Sequence, residues 1–115
     1  MPGKRTGEKG RELVGHALRP EEMVQHQAGS IVSRQLIGGA GGNVTLFAFD
    51  AKEGLSSHTT PFTALAYALD GEAEITVAGT SVVLKRGEMT LLPPDTPHSV
   101  SALTPLKMAL IMIKS

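Results

Sequence analysis

From Ser30 onward, short apolar runs alternate with breaks rich in glycine and proline. The clearest case is EAEITVA, residues 72–78, where Ala73, Ile75 and Val77 fall on one face and Glu72, Glu74 and Thr76 on the other. A period of two predicts a strand with core on one side and water on the other. SIVSRQLI, NVTLFAFD, ALAYALD, TSVVLKRG and MTLL read as further strands because they are rich in β-branched and aliphatic residues between turn signals. In LKMALIMI, Met108, Leu110 and Met112 share one side while Ala109, Ile111 and Ile113 share the other. Such a run is costly to expose, so both faces are expected to be covered, by core on one side and a subunit partner on the other.

The breaks predict how these strands connect. GGAGG at residues 38–42 is a turn; no Lys-Ser or Lys-Thr follows it and it leads into a strand, so it is not a phosphate cradle. Asp70-Gly71 has the residue types of a tight hairpin turn and predicts that ALAYALD pairs directly with EAEITVA. Gly79 and Gly87 allow further reversals, and Pro93, Pro94 and Pro97 restrict the next segment to a bend or an edge. Pro20, Glu21 and Glu22 open one short helical turn leading to Met23 and Val24. The expected organisation is an irregular or flexible lead-in over residues 1–29 and one all-β sandwich or barrel of about eight strands over residues 30–115. There is no room for repeated βαβ units, no amphipathic run long enough for a bundle, and no internal repeat.

Composition narrows the function classes. The 115 residues suit one core, and 41% hydrophobic against 19% charged residues with zero net charge is the balance of a folded domain. Aromatic residues make up 3%, too few for a nucleic-acid stacking platform. Lys4, Arg5, Lys9 and Arg11 are interrupted by Glu8 and Glu12 and continue into no basic stripe, so they read as a solvated, mobile arm rather than a nucleic-acid contact. No cysteine is present, which removes disulfides, zinc-thiolate sites and thiol catalysis. Neither a secretory leader nor a membrane span is expected, and the default setting is cytoplasmic. A domain this small, with an apolar last strand, would gain core by pairing, so a homodimer is expected.

Chemistry rests mainly on histidine. His16 and His26 lie in the poorly patterned lead-in, whereas His58 and His98 fall at strand boundaries, in SSHTTPF and PDTPHSV. A neutral imidazole ligates transition metals and can exchange a proton near neutral pH. Tyr67 offers a hydroxyl, and Met112 an adaptable apolar surface.

The spacing around these histidines resembles that of single-domain cupins. Their first motif reads Gly, five residues, His-X-His, three or four residues, Glu, six residues, Gly; the second reads Gly, five residues, Pro-X-Gly, two residues, His, three residues, Asn. Gly87, Pro93 and His98 match the second, with Asp95 and Ala102 replacing its second glycine and its asparagine. His58 and Gly71 match the first, with Gly54 two positions nearer than the pattern asks, and Thr60 and Ala64 replacing the second histidine and the glutamate. The resemblance spans roughly residues 30–113. It implies a cupin-type double-stranded β-helix, a jelly-roll barrel whose metal centre of three histidines and one glutamate is here reduced to His58 and His98. Two imidazoles could hold a divalent Zn, Ni, Fe or Mn ion if water, a substrate oxygen, or a side chain such as Gln27 or His26 completed the shell.

Three functions follow as expectations. The first is a small-molecule-binding cupin whose ligand meets His58, His98, Thr60, Tyr67 and Met112, with His58 and His98 as metal ligands if an ion is held. The second is a metal-dependent dioxygenase or isomerase acting on a small polar metabolite. The third is a structural or interaction module without a ligand.

Overall fold

The alternation becomes nine strands among the residues described, 11–114: β1 (Ile31–Gly39), β2 (Gly42–Phe49), β3 (Gly54–His58), β4 (Phe62–Asp70), β5 (Glu72–Val77), β6 (Thr80–Lys85), β7 (Met89–Leu92), β8 (His98–Ala102) and β9 (Leu106–Lys114). The protein is described by a computed structural model. Two strands lie outside the seven runs read as strands: β8, and β3, whose sequence GLSSH lacks any apolar alternation and is held by its ladder to β8. Most of the basic arm, Lys4, Arg5 and Lys9, lies outside the described residues. No helix among the described residues is long and apolar enough to cross a membrane.

The strands form two antiparallel sheets, β1-β2-β9-β4-β7 and β3-β8-β5-β6. Their inner faces meet in one cluster that includes Phe49, Ala66, Leu92, Leu106 and Met108 from the first sheet and Ala73, Ile75, Leu84 and Val100 from the second. Each large side chain buried there contributes about 1.5–3 kcal/mol. Small residues at Ala64, Ala66 and Ala68 line the inner face of β4 and let the facing sheet approach closely. No ladder among the described residues joins the two sheets, so of the sandwich or barrel expected from the sequence the jelly roll is the open sandwich, not a closed barrel. Strands change sheets at corners instead of pairing around a ring.

One such corner overturns the hairpin reading of Asp70-Gly71. β4 pairs with β7 and β9, whereas β5 pairs with β6 and β8, so the dipeptide carries the chain from one sheet to the other. Gly71 sits at φ 81°, and a Cβ there would lie 2.0 Å from the Pro105 carbonyl oxygen. Residue type specified a sharp turn; the competition for partners between the two sheets decided that it is a crossover. The expected reversal at Gly79 is a true hairpin, with Ala78 and Gly79 both at positive φ between Val77 and Thr80.

The described part of the lead-in, from Arg11, is irregular but partly integrated. Pro20–Glu22 forms the expected helical turn, of 3-10 type. Beyond it Val24, 3% exposed, joins Leu46, Ala48 and Ala109 in a second cluster on the outer face of the five-stranded sheet. Lys107 Nζ donates to the Glu21 carbonyl at 2.6 Å and ties this segment down.

Candidate functional site

The ladders bring several marked residues to one end of the sandwich. His58 ends β3 opposite His98, which begins β8 beside Val77. In the facing sheet Met112 lies between Asn43 and Ala64, near the Gly39–Gly42 hairpin. The two imidazoles meet edge to face, with ring centroids 4.4 Å apart and planes at 65°. His98 is 5% exposed, whereas His58 is open to solvent.

Their hydrogen bonds set the chemistry. His58 Nδ1 lies 2.7 Å from the Ser56 carbonyl oxygen, and His98 Nδ1 lies 3.2 Å from that of Thr96. A carbonyl only accepts, so both Nδ1 atoms carry the proton that they donate. In a neutral ring this leaves the Nε2 lone pair to accept from a ligand or bind an ion. The same backbone anchoring orients metal-binding histidines generally.

The loops beneath the pair explain the departures from the motif. Asp95 adopts φ 56°, the left-handed conformation that favours glycine and that aspartate tolerates. Its N–H donates to the Thr60 carbonyl at 2.7 Å, joining the β7–β8 and β3–β4 connections. Thr60 Oγ1 accepts from the Phe62 N–H at 3.2 Å, so this hydroxyl serves a local turn. Gly54 packs against β8, where a Cβ would lie 2.2 Å from the Val100 carbonyl oxygen. Ala102 is buried and exchanges backbone hydrogen bonds with Lys52 and Glu53.

The donors do not fit a centre of three histidines and one carboxylate. Ala64 is buried with no donor atom, and no cluster of three or more His, Cys, Asp or Glu residues among the described residues could hold an ion. Gln27 and His26 cannot complete the shell, because they precede β1 at the opposite end of the sandwich, near Asp50.

Two other sequence candidates separate. Met112 faces inward at the same end as the histidines; the cavity of about 350 Å³ at the glycine-rich hairpin is lined by Ile37, Val44, Ile111 and Ile113 as well as by Asn43 and Met112, and neither histidine lines it. Tyr67 does not join them: it alternates with buried Ala66 and Ala68 and points outward beside Met89 and Ala109. The sequence reading also missed Asn43, whose Nδ2 lies 3.9 Å from Met112 Sδ and whose Oδ1 accepts from Thr45 Oγ1 at 3.2 Å. The signal was present in NVTLFAF, where Asn43 and Thr45 occupy the alternating face that Phe47 and Phe49 identify as inward.

A conserved protein of unknown function from Streptococcus pyogenes superposes with a TM-score of 0.85 at 25% identity, covering 88% of this chain and 89% of its own. A cupin 2 conserved barrel domain protein from Leptotrichia buccalis gives a TM-score of 0.79 at 39% identity over 82% of this chain, which spans 46% of that larger one. A cupin superfamily protein from Desulfitobacterium hafniense shares the fold, with a TM-score of 0.85 at 20% identity over 97% of this chain and 100% of its own. No match was found among curated proteins. The cupin domain family profile matches residues 45–114, which include both histidines and the crossover at Gly71. With the profile matching more than half of the chain and the two-sheet architecture shared with these structures, this chain belongs to the cupin family.

Proposed function

We propose that this cupin binds a small polar molecule at the open end of the sandwich, with His58 and His98 as the recognition pair. The observation that carries the proposal is the anchoring of both Nδ1 atoms on backbone carbonyls within an imidazole pair 4.4 Å apart. It leaves an Nε2 acceptor on each of two adjacent rings, one on a buried residue and one on an exposed residue, suited to a hydroxyl-bearing ligand. Upon protonation the same atoms become donors for an anionic group. Asn43 and Met112 supply a neutral polar and an apolar side chain on the inward face of the facing sheet, at the same end of the sandwich. Zn, Ni, Fe or Mn would bind here with the two imidazoles and oxygens from water or ligand, without a protein carboxylate at Ala64.

Thermal-shift and native mass spectrometry of the full chain with small polyols and hydroxy acids, and separately with each of the four metal ions alone, test this reading. A stabilising ligand whose effect disappears in His58→Ala and His98→Gln is expected. A ligand response that survives both substitutions would place binding elsewhere. No response to any compound or ion would favour the ligand-free module, whereas turnover of a stabilising compound would favour the enzyme.

A further inference from the structure

The two sheets bring different hydrogen-bonding groups to the open end. On β4 and β9 the inward alternation continues past Ala64 and Met112 to Phe62 and Lys114, which pair across the ladder. Phe62 and Lys114 line a cavity of about 240 Å³ at this rim, together with Ala40 and Pro61. Pro61 and Phe62 follow directly on Thr60, whose carbonyl accepts from the Asp95 N–H, so the rim adjoins the loops that carry both histidines. Lys114 has three N–H donors and no acceptor. Asn43 Oδ1 already accepts from Thr45 Oγ1, while its Nδ2 meets the thioether sulfur of Met112 at 3.9 Å, a weak acceptor. The five-stranded sheet therefore offers donors. The neutral histidines of the other sheet, with both Nδ1 protons committed to backbone carbonyls, offer acceptors.

Resting on the histidine pair as the recognition site, we infer that its ligand is a small hydroxylated anion. A hydroxyl of the ligand donates to the imidazoles, and its anionic oxygens accept from Lys114 and Asn43. Charge at the open end agrees with this polarity. The inward positions of β2, β8 and β9, and those of β4 from Phe62 to Ala68, hold no Asp or Glu. Glu74 alternates with buried Ala73 and Ile75 and faces away, and Asp95 is exposed in the β7–β8 loop. A carboxylate and a phosphate ester present the same acceptor oxygens, and a lysine meets either as a point charge. The opposite orientation would set anionic oxygens against imidazole lone pairs and leave the donors of the facing sheet without acceptors.

Chemical-shift titration of the full chain with glycerol, glycerate and glycerol phosphate separates charge from hydroxyl recognition. Glycerate or glycerol phosphate should bind about tenfold more tightly than glycerol, and the tighter of the two identifies the headgroup. Lys114→Met should weaken that anion about fivefold, Lys114→Arg should restore it, and neither should alter glycerol binding. Lys85→Met, at an exposed lysine on β6, should change nothing. Glycerol binding as tightly as both anions and lost in His58→Ala would overturn the inference while the histidine reading stands. An anion response indifferent to Lys114→Met would do the same, provided His58→Ala abolishes it. Binding of none of the three, or an anion response that survives His58→Ala, would overturn both.

Discussion

At the packed end of the sandwich, Phe49, Ala73, Ala102 and Leu106 are almost fully buried and belong to the cluster that joins the sheets. At the open end, His58 is exposed, His98 is buried beside it, and Asn43 brings a polar side chain to the inward face. Side chains at the first end are selected by volume and at the second by chemistry. Loss of stability and loss of binding should therefore separate along the length of the strands.

The largest expected effect comes from truncating the packed end. Phe49→Ala should cost about 3–5 kcal/mol in urea unfolding, because it removes a fully buried ring that stacks on Phe47 at 5.6 Å. A cost below 1 kcal/mol would mean that this end is not the main store of stability. Gly71→Ala should follow at about 1–3 kcal/mol, since its positive φ and the nearby Pro105 carbonyl both resist a Cβ.

The histidines sharpen the contrast within the open end. His98→Ala should destabilise by about 1–3 kcal/mol, because it empties a buried site and leaves the Thr96 carbonyl without its donor. His58→Ala should stay within about 0.5 kcal/mol of wild type while removing the ligand response. Equal stability losses in the two variants would erase the distinction between a sheltered and an accessible imidazole.

The smallest effect belongs to Asp50, back at the packed end. The Gly29 and Ala51 N–H groups donate to its carboxylate at 2.6 and 2.9 Å and hold its pKa below the ordinary 3.8. A carboxylate with a depressed folded pKa stabilises the fold above its unfolded value and loses that contribution as pH falls through the folded one. Asp50→Asn should therefore flatten the stability profile below about pH 4 and leave its shape near neutrality unchanged. An unaltered acid limb in denaturant titrations at successive pH values would contradict this assignment.

Much of the strand content was legible because alternation and turn residues are local properties. EAEITVA shows the same faces in the fold as in the sequence, and Pro20–Glu22 forms its short turn. β3 was not legible, since GLSSH has no apolar period and is a strand through its pairing with β8. Tyr67 was misplaced for a related reason: its distance from His58 in sequence says nothing of which sheet face it occupies, and buried Ala66 and Ala68 turn it outward.

By itself, then, the sequence determined that this is an all-β chain without cysteine chemistry, with two histidines at motif positions and Thr60 and Ala64 where the other ligands would stand. Only the tertiary structure decided that Asp70-Gly71 crosses between sheets, that Thr60 is committed to a turn, and that His58 and His98 touch. Period, turn type and residue identity are written within a few neighbouring positions. Which strand wins a pairing partner, and which side chains meet across forty residues of chain, depends on the packing of both sheets at once.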